Sequence, residues 1–163
     1  MTNYDHVESI VQRTLDDVKW THKIQEKQAD IYSNRYKTME FIRIIVASLT
    51  STGILALFLK EDSFWLKLAT AILSFATILI NTFFKSFDLQ TMVTRHKKAA
   101  VELLSYRDNF EALVCEIKMK KGTPEELFEK YEKQLENLHI AYEEAPITTD
   151  KAVDLARKEL KNQ

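Results

Sequence analysis

Two apolar runs, residues 41–59 and 64–84, are separated only by Lys60-Glu61-Asp62-Ser63. They hold 19 and 21 residues, so each as a helix is roughly 30 Å long, about the thickness of the hydrocarbon core of a bilayer. Each run carries one cation near its start, Arg43 and Lys67, where a long side chain reaches the headgroup layer. Adjacent, matched in length and flanked by charge, the two runs constrain the chain to a membrane hairpin, with the lipid bilayer as its first partner. The competing arrangement is the centre of a water-soluble bundle, where a helix surrounded by others is apolar all round. Against it stands the absence of a charged stripe on either run, which carries hydroxyls instead.

Apolar residues make up 45% of the 163-residue chain, a share that suits an ordinary globular domain only when spread evenly. Here they are concentrated in the middle, between polar and heavily charged flanks. The 23 basic and 24 acidic residues interleave to a net charge of −1, which leaves no basic face for a phosphate backbone, so no direct nucleic-acid contact is expected. Cys115 is the single cysteine, which excludes an internal disulfide and a multi-thiolate zinc site and fits a reducing compartment. The opening Met1-Thr2-Asn3-Tyr4-Asp5-His6 has neither a basic nor a short apolar region, so no cleaved signal is expected and the first span directs insertion.

Orientation follows from the cations near the spans. Arg35, Lys37 and Arg43 precede or open the first, Lys85, Arg95, Lys97 and Lys98 follow the second, and the link sets Lys60 against Glu61 and Asp62. By the positive-inside rule both termini are cytoplasmic. The expected layout is a cytoplasmic helical arm over 1–40, a first span over 41–59, a short outside loop over 60–63, a second span over 64–84 and cytoplasmic helices over 85–163.

Only Gly53, Gly122, Pro124 and Pro146 punctuate the chain, and strand-like alternation is absent, so an all-α fold is expected. One helix is predicted from about Asp5 to Leu59, with Val7, Val11, Val18, Ile24, Ile31 and Met39 as a narrow seam. A second is predicted to run unbroken out of the membrane to about Lys121, on the three- and four-residue steps of Leu89, Val93, Ala100, Leu103, Leu104, Phe110, Leu113, Val114 and Ile117. Thr123-Pro124-Glu125-Glu126 supplies an N-cap hydroxyl, a proline at the first helical position and first-turn carboxylates. In the helix it opens, Phe128, Tyr131, Leu135, Leu138 and Tyr142 form a heptad seam, with Glu126/Lys130 and Glu129/Lys133 pairing four apart. Ala145-Pro146-Ile147 ends it, and Thr149 or Asp150 caps a short final helix containing Val153, Leu155, Ala156 and Leu160.

Within the second span Thr70, Ser74, Thr77 and Asn81 fall within about 60° of one another on a helix. Ser48 and Thr52, with Ala56, line the first span at a spacing that lets backbones approach. Both rows fit close helix packing, and both fit the lining of an aqueous lumen; as a lining the second span is the first expectation, because its row is longer and ends in an amide. A lone two-span chain cannot enclose water, so a lumen requires a homo-oligomer. Catalysis finds little support: His6, His22, His96 and His139 are scattered, no glycine-rich turn cradles a phosphate, and no cofactor is expected. The carboxylates after Pro124, Asp16-Asp17 and Glu143-Glu144 read as solvated faces. Trp20, His22, Tyr32, Arg35 and Tyr36 form an aromatic and cationic set that reads as interhelical packing or as a ligand patch.

The arm containing His22-Lys23-Ile24-Gln25-Glu26-Lys27-Gln28-Ala29, the two spans and their short link, and the tail opening with Arg95-His96-Lys97-Lys98-Ala99-Ala100 together resemble the SLATT family, the SMODS- and SLOG-associating two-transmembrane effectors of bacterial conflict systems. The resemblance covers nearly the whole chain and carries no catalytic residues over. It implies an anti-phage effector encoded beside a separate sensor, such as a nucleotide-making enzyme, a nucleotide-binding domain or a reverse transcriptase. The resemblance further implies that on infection such an effector permeabilises the inner membrane and stops growth. No nucleotide-synthesising or nucleotide-sensing domain is expected within these 163 residues. The other reading is a non-conducting, membrane-anchored module whose helices recruit a cytoplasmic partner.

Overall fold

The scarcity of helix breakers is reflected directly in the computed structural model, which describes residues 3–59 and 64–161. Its elements are α1 (Asn3–Leu59), α2 (Phe64–Ser86), α3 (Leu89–Lys118), α4 (Pro124–Glu144) and α5 (Asp150–Leu160), and no strand occurs among the described residues. The expected tight link, residues 60–63, lies outside them. Helix α1 runs without a break through both the charged arm and the first span.

The second long helix is not continuous as the spacing predicted. The Phe87 amide makes a last bond to the Phe83 carbonyl at 2.8 Å, and Asp88 then caps α3, its Oδ1 accepting from the Thr91 amide at 3.0 Å. Hydrogen bonds from Thr91 hold the Asp88 carboxyl below its usual range. Apolar spacing alone passes over this break, because a capping aspartate interrupts hydrogen bonding without disturbing the three- and four-residue steps. Helix α3 closes earlier than expected, at Lys118. The Lys121 amide bonds the Glu116 carbonyl and the Lys120 amide bonds the Ile117 carbonyl, both at 3.0 Å, with Lys120 left-handed at φ 52°; this is a Schellman ending. Gly122, at φ 103°, completes the turn where a side chain would be strained.

Helix α4 opens as its sequence dictates. The Glu126 amide donates to Thr123 Oγ1 at 3.3 Å and the Thr123 amide to Glu126 Oε2 at 2.8 Å, a full capping box with Pro124 in the first turn. Because Glu126 turns back to the cap, the expected Glu126/Lys130 pair does not form, and Lys130 reaches Glu116 of α3 at 2.8 Å.

The chain divides into two compact units: Met1–Ile31 with Val93–Gln163, the bundle unit, and Tyr32–Met92, the hairpin unit. The bundle unit is organised around Phe110, Leu103, Ile117, Leu113 and Val114 of α3, Val7, Val11, Leu15 and Val18 of α1, and Leu127, Tyr131 and Leu138 of α4. Most of the predicted seams are here. Leu15 and Leu127 are additions, while Phe128, Leu135 and Tyr142 are only partly buried at its edge. Thr14 Oγ1 and Tyr131 Oη lie 2.9 Å apart inside this contact, which satisfies the one polar group of the tyrosine. A smaller cluster joins Ile24 and Ile31 of α1 to Ala152 and Ala156 of α5, with Trp20 and Val153 beside it.

Candidate functional site

Partner numbers run in opposite senses along the two spans: Arg43 and Tyr36 meet Phe84, Thr50 meets Thr77, and Gly53 meets Thr70. The spans are therefore antiparallel. Their contact is made of small and hydroxylated residues. A Cβ placed on Gly53 would stand 2.8 Å from Thr70 Oγ1, so only glycine lets the helices come this close. Thr70 is buried, and its hydroxyl donates to the Leu66 carbonyl at 2.8 Å. Two positions further along the row, Thr50 Oγ1 and Thr77 Oγ1 lie 3.3 Å apart, each also bonded to a carbonyl one turn back, Val46 at 2.8 Å and Leu73 at 2.9 Å. A hydroxyl bonded to its own helix presents little unsatisfied polarity to hydrocarbon.

The hydroxyl row of α2 is thus shared between two environments. Thr70 and Thr77 face α1, Ser74 is partly buried, and Asn81 is exposed. On α1 the face that meets α2 is set by Thr50 and Gly53, which sequence spacing did not single out; the signal was Gly53, the only glycine in either span. Ser48 and Thr52 lie on α1 about 150° away from that face, counted at 100° per residue. They are exposed, as is Ser51 between them, and the three hydroxyls donate to the carbonyls of Ile44, Ser48 and Ala47 at 2.8–3.0 Å.

Apart from Lys67, Asn81 and Thr82, the exposed surface of the described spans is otherwise largely apolar. Phe41, Leu55, Ile72 and Phe75 are 64%, 65%, 60% and 62% exposed, a surface no water-soluble chain leaves uncovered at this extent. At one end Arg43 pairs with Glu40 and lies 5.2 Å from the centre of the Phe84 ring, against which Tyr36 sits edge-on at 5.9 Å. At the other end Phe64 and Trp65 are in edge contact, with Trp65 exposed. Aromatic rings at both ends, with Arg43 at one and exposed Lys67 at the other, match the two interfaces of a membrane.

In the bundle unit the two segments that carry the family resemblance meet each other. Gln25 Nε2 donates to the Pro146 carbonyl at 3.0 Å, which turns Oε1 toward His96; Nδ1 of His96 therefore carries the proton in this 2.6 Å contact. Burial, reinforced by neighbouring Arg95, pushes the His96 imidazole below its ordinary value. His22 Nδ1 donates to the Ala100 carbonyl at 2.8 Å. Gln28, fully buried, accepts at Oε1 from both the amide and the hydroxyl of Thr149, at 2.9 and 2.7 Å. Beside Pro146, a half-open cavity of about 220 Å³ is bordered by Arg95, Lys98, Glu102 and Glu144.

The aromatic and cationic set of the arm has its members in different surroundings. Trp20 packs beside α5, His22 holds the backbone of α3, Tyr36 lies on Phe84, Tyr32 is partly buried and Arg35 is exposed. Among the described residues no three His, Cys, Asp or Glu side chains are grouped to hold a metal ion.

Two antiparallel helices, each long and apolar enough to cross a bilayer, with the apolar surface turned outward, define a two-span helical membrane protein. The chain belongs to the SMODS and SLOG-associating 2TM effector domain family 4, whose model matches residues 7–163. No curated protein and no solved structure matches it.

Proposed function

We propose that this protein is a membrane effector of a bacterial anti-phage system that assembles into a homo-oligomer of at least about four copies and opens the inner membrane. A separately encoded sensor, or the nucleotide signal it produces, triggers it. Both termini are cytoplasmic in this reading, as the cations flanking the spans favour. One observation carries it. Each hairpin has a second hydroxyl face, Ser48, Ser51 and Thr52, which is exposed and turned away from the contact with α2. Facing lipid, such a row gains nothing; facing its counterparts in a ring of copies, it lines water. Thr70 and Thr77 hold the hairpin together, Ser74 packs at the edge, and Asn81 stands at the mouth.

The test is dye release from liposomes. The unmodified protein should release dye, and the double variant Ser48→Leu/Thr52→Leu should insert and assemble but release several-fold less, because leucines narrow and dewet the lumen. Undiminished release by an assembled double variant would refute the lining. Absence of release from an assembled oligomer, with and without its sensor, would favour the non-conducting anchor. That second reading has its own support in a groove of about 630 Å³ along α3, beside exposed Val101.

A further inference from the structure

Helix α5 is fastened unlike the rest of the bundle unit. Helices α1, α3 and α4 share the large cluster around Phe110, to which α5 contributes nothing. Its fully buried residues are two alanines, Ala152 and Ala156, seated on Ile24 and Ile31. Two methyl groups, with Val153 and Trp20 only partly buried beside them, hide less apolar area than the large side chains around Phe110, so the hydrophobic hold is the weaker of the two. Leu155 and Leu160 of the same helix are each 37% exposed.

The rest of what holds α5 is polar. Thr149 bonds Gln28 twice, and the Pro146 carbonyl accepts from Gln25. At the far end Glu159 bridges Lys23, at 2.6 Å, and Lys27. Hydrogen bonds to Glu159 and Glu26 raise the Lys23 ammonium above its ordinary value, and the same lysines lower the Glu159 carboxyl. Each of these groups finds water when α5 leaves, so their exchange is nearly balanced. Gln28 Nε2 is buried with no partner while α5 is docked, and it gains hydration on release. The tether, residues 145–149, is non-helical, so departure of α5 does not require α4 to unwind.

We propose that α5 and its tether are a releasable strap over α1, and that in the effector reading above, on which this role rests, release is the switching step. The strap covers Ile24, Gln25, Gln28 and Ile31, and Ile31 immediately precedes Tyr32, the first residue of the hairpin unit on the same unbroken helix. A trigger then needs only to compete for polar contacts; it does not have to open the core around Phe110.

The experiment is hydrogen exchange on the full chain in lipid nanodiscs, paired with dye release. Three forms are compared: the unmodified protein, Glu159→Lys, and a Cys115→Ser protein with Lys23→Cys and Glu159→Cys joined by a short bismaleimide. Amides of α5 should exchange roughly tenfold faster than those around Phe110. Glu159→Lys should speed them again without touching the Phe110 region, and should raise dye release several-fold, while the cross-link suppresses both. Exchange in α5 as slow as around Phe110, and unmoved by Glu159→Lys, would overturn the strap. Loosened α5 with dye release equal in all three forms would overturn its role as the switch and leave the membrane reading standing. Loosened α5 with no release from any form would establish the strap's opening and count against the pore.

Discussion

The bundle unit and the hairpin unit are built from the same kind of helix with opposite sides turned in. In the bundle, Phe110, Leu103, Leu127 and Leu138 are hidden and charges such as Lys19, Glu111, Lys130 and Glu116 pair on the surface. In the hairpin, the contact between helices is Gly53 against Thr70 and Thr50 against Thr77, and Phe41, Ile44, Ile72, Phe75 and Ile78 are exposed. The difference teaches which solvent each unit meets. Water drives apolar side chains together in the bundle. Hydrocarbon offers the hairpin no such drive, so it associates through close backbone approach and concealed hydroxyls.

The sharpest way to break that comparison is to remove a phenyl ring from each unit. Phe110→Ala should destabilise the bundle by about 3–5 kcal/mol, read by urea unfolding through Trp20 fluorescence in a Trp65→Phe background. Phe75→Ala, on the outside of the hairpin, should change the same reading by less than about 0.5 kcal/mol. Similar effects from both would mean that the two rings have similar surroundings.

A smaller effect is expected at the helix contact. Gly53→Val forces a side chain against Thr70 and should weaken the pairing of the spans by about 1–3 kcal/mol. In a Cys115→Ser protein, Thr50→Cys and Thr77→Cys should form a disulfide readily, and Gly53→Val should slow its formation while the bundle keeps its urea midpoint. An unchanged rate would remove Gly53 from the contact.

The smallest effect is a slope in pH. Folding favours neutral His96, so the unfolded chain, with an imidazole near the ordinary value of 6.5, takes up a proton first as pH falls. The bundle's stability is complete above that value and declines as pH drops from 6.5 toward the lower folded-state value. The urea midpoint should therefore fall between about pH 8 and about pH 5.5, and His96→Gln should flatten that change. An equal slope in the variant would place the titrating group elsewhere.

Much of this was legible in the sequence, for identifiable reasons. The spans are visible because apolar length is a one-dimensional signal, and α4 is visible because Thr123-Pro124-Glu125-Glu126 encodes its own start. Most of the buried seam residues of α1 and α3 were found by spacing, while Met39, Leu89, Val93 and Leu104 of the same rows are only partly buried. Asp88 was missed because a cap leaves apolar periodicity intact, and Leu127 because a residue one position off a heptad is indistinguishable from a flank until its neighbour is placed. Gln25, Gln28 and His96 were invisible as buried residues, since their burial depends on partners 71 and 121 positions away. Within the spans, a row of hydroxyls is compatible with packing and with lining alike. Only the placement of Thr50 and Gly53 against α2 separates the face that joins the hairpin from the face that carries Ser48 and Thr52.

The central claim is that the hairpin's outer surface meets lipid while the bundle meets water. Single nitroxide labels on a Cys115→Ser protein in liposomes measure this through their relative accessibility to oxygen, which concentrates in hydrocarbon, and to a chelated nickel ion, which stays in water. Labels at Leu55, Ile72 and Phe75 should be accessible to oxygen and shielded from nickel, and labels at Val101 and Ile140 should show the reverse. Labels at Leu55, Ile72 and Phe75 as open to nickel as those on the bundle, or closed to both probes in protein that leaves the membrane without detergent, would contradict it.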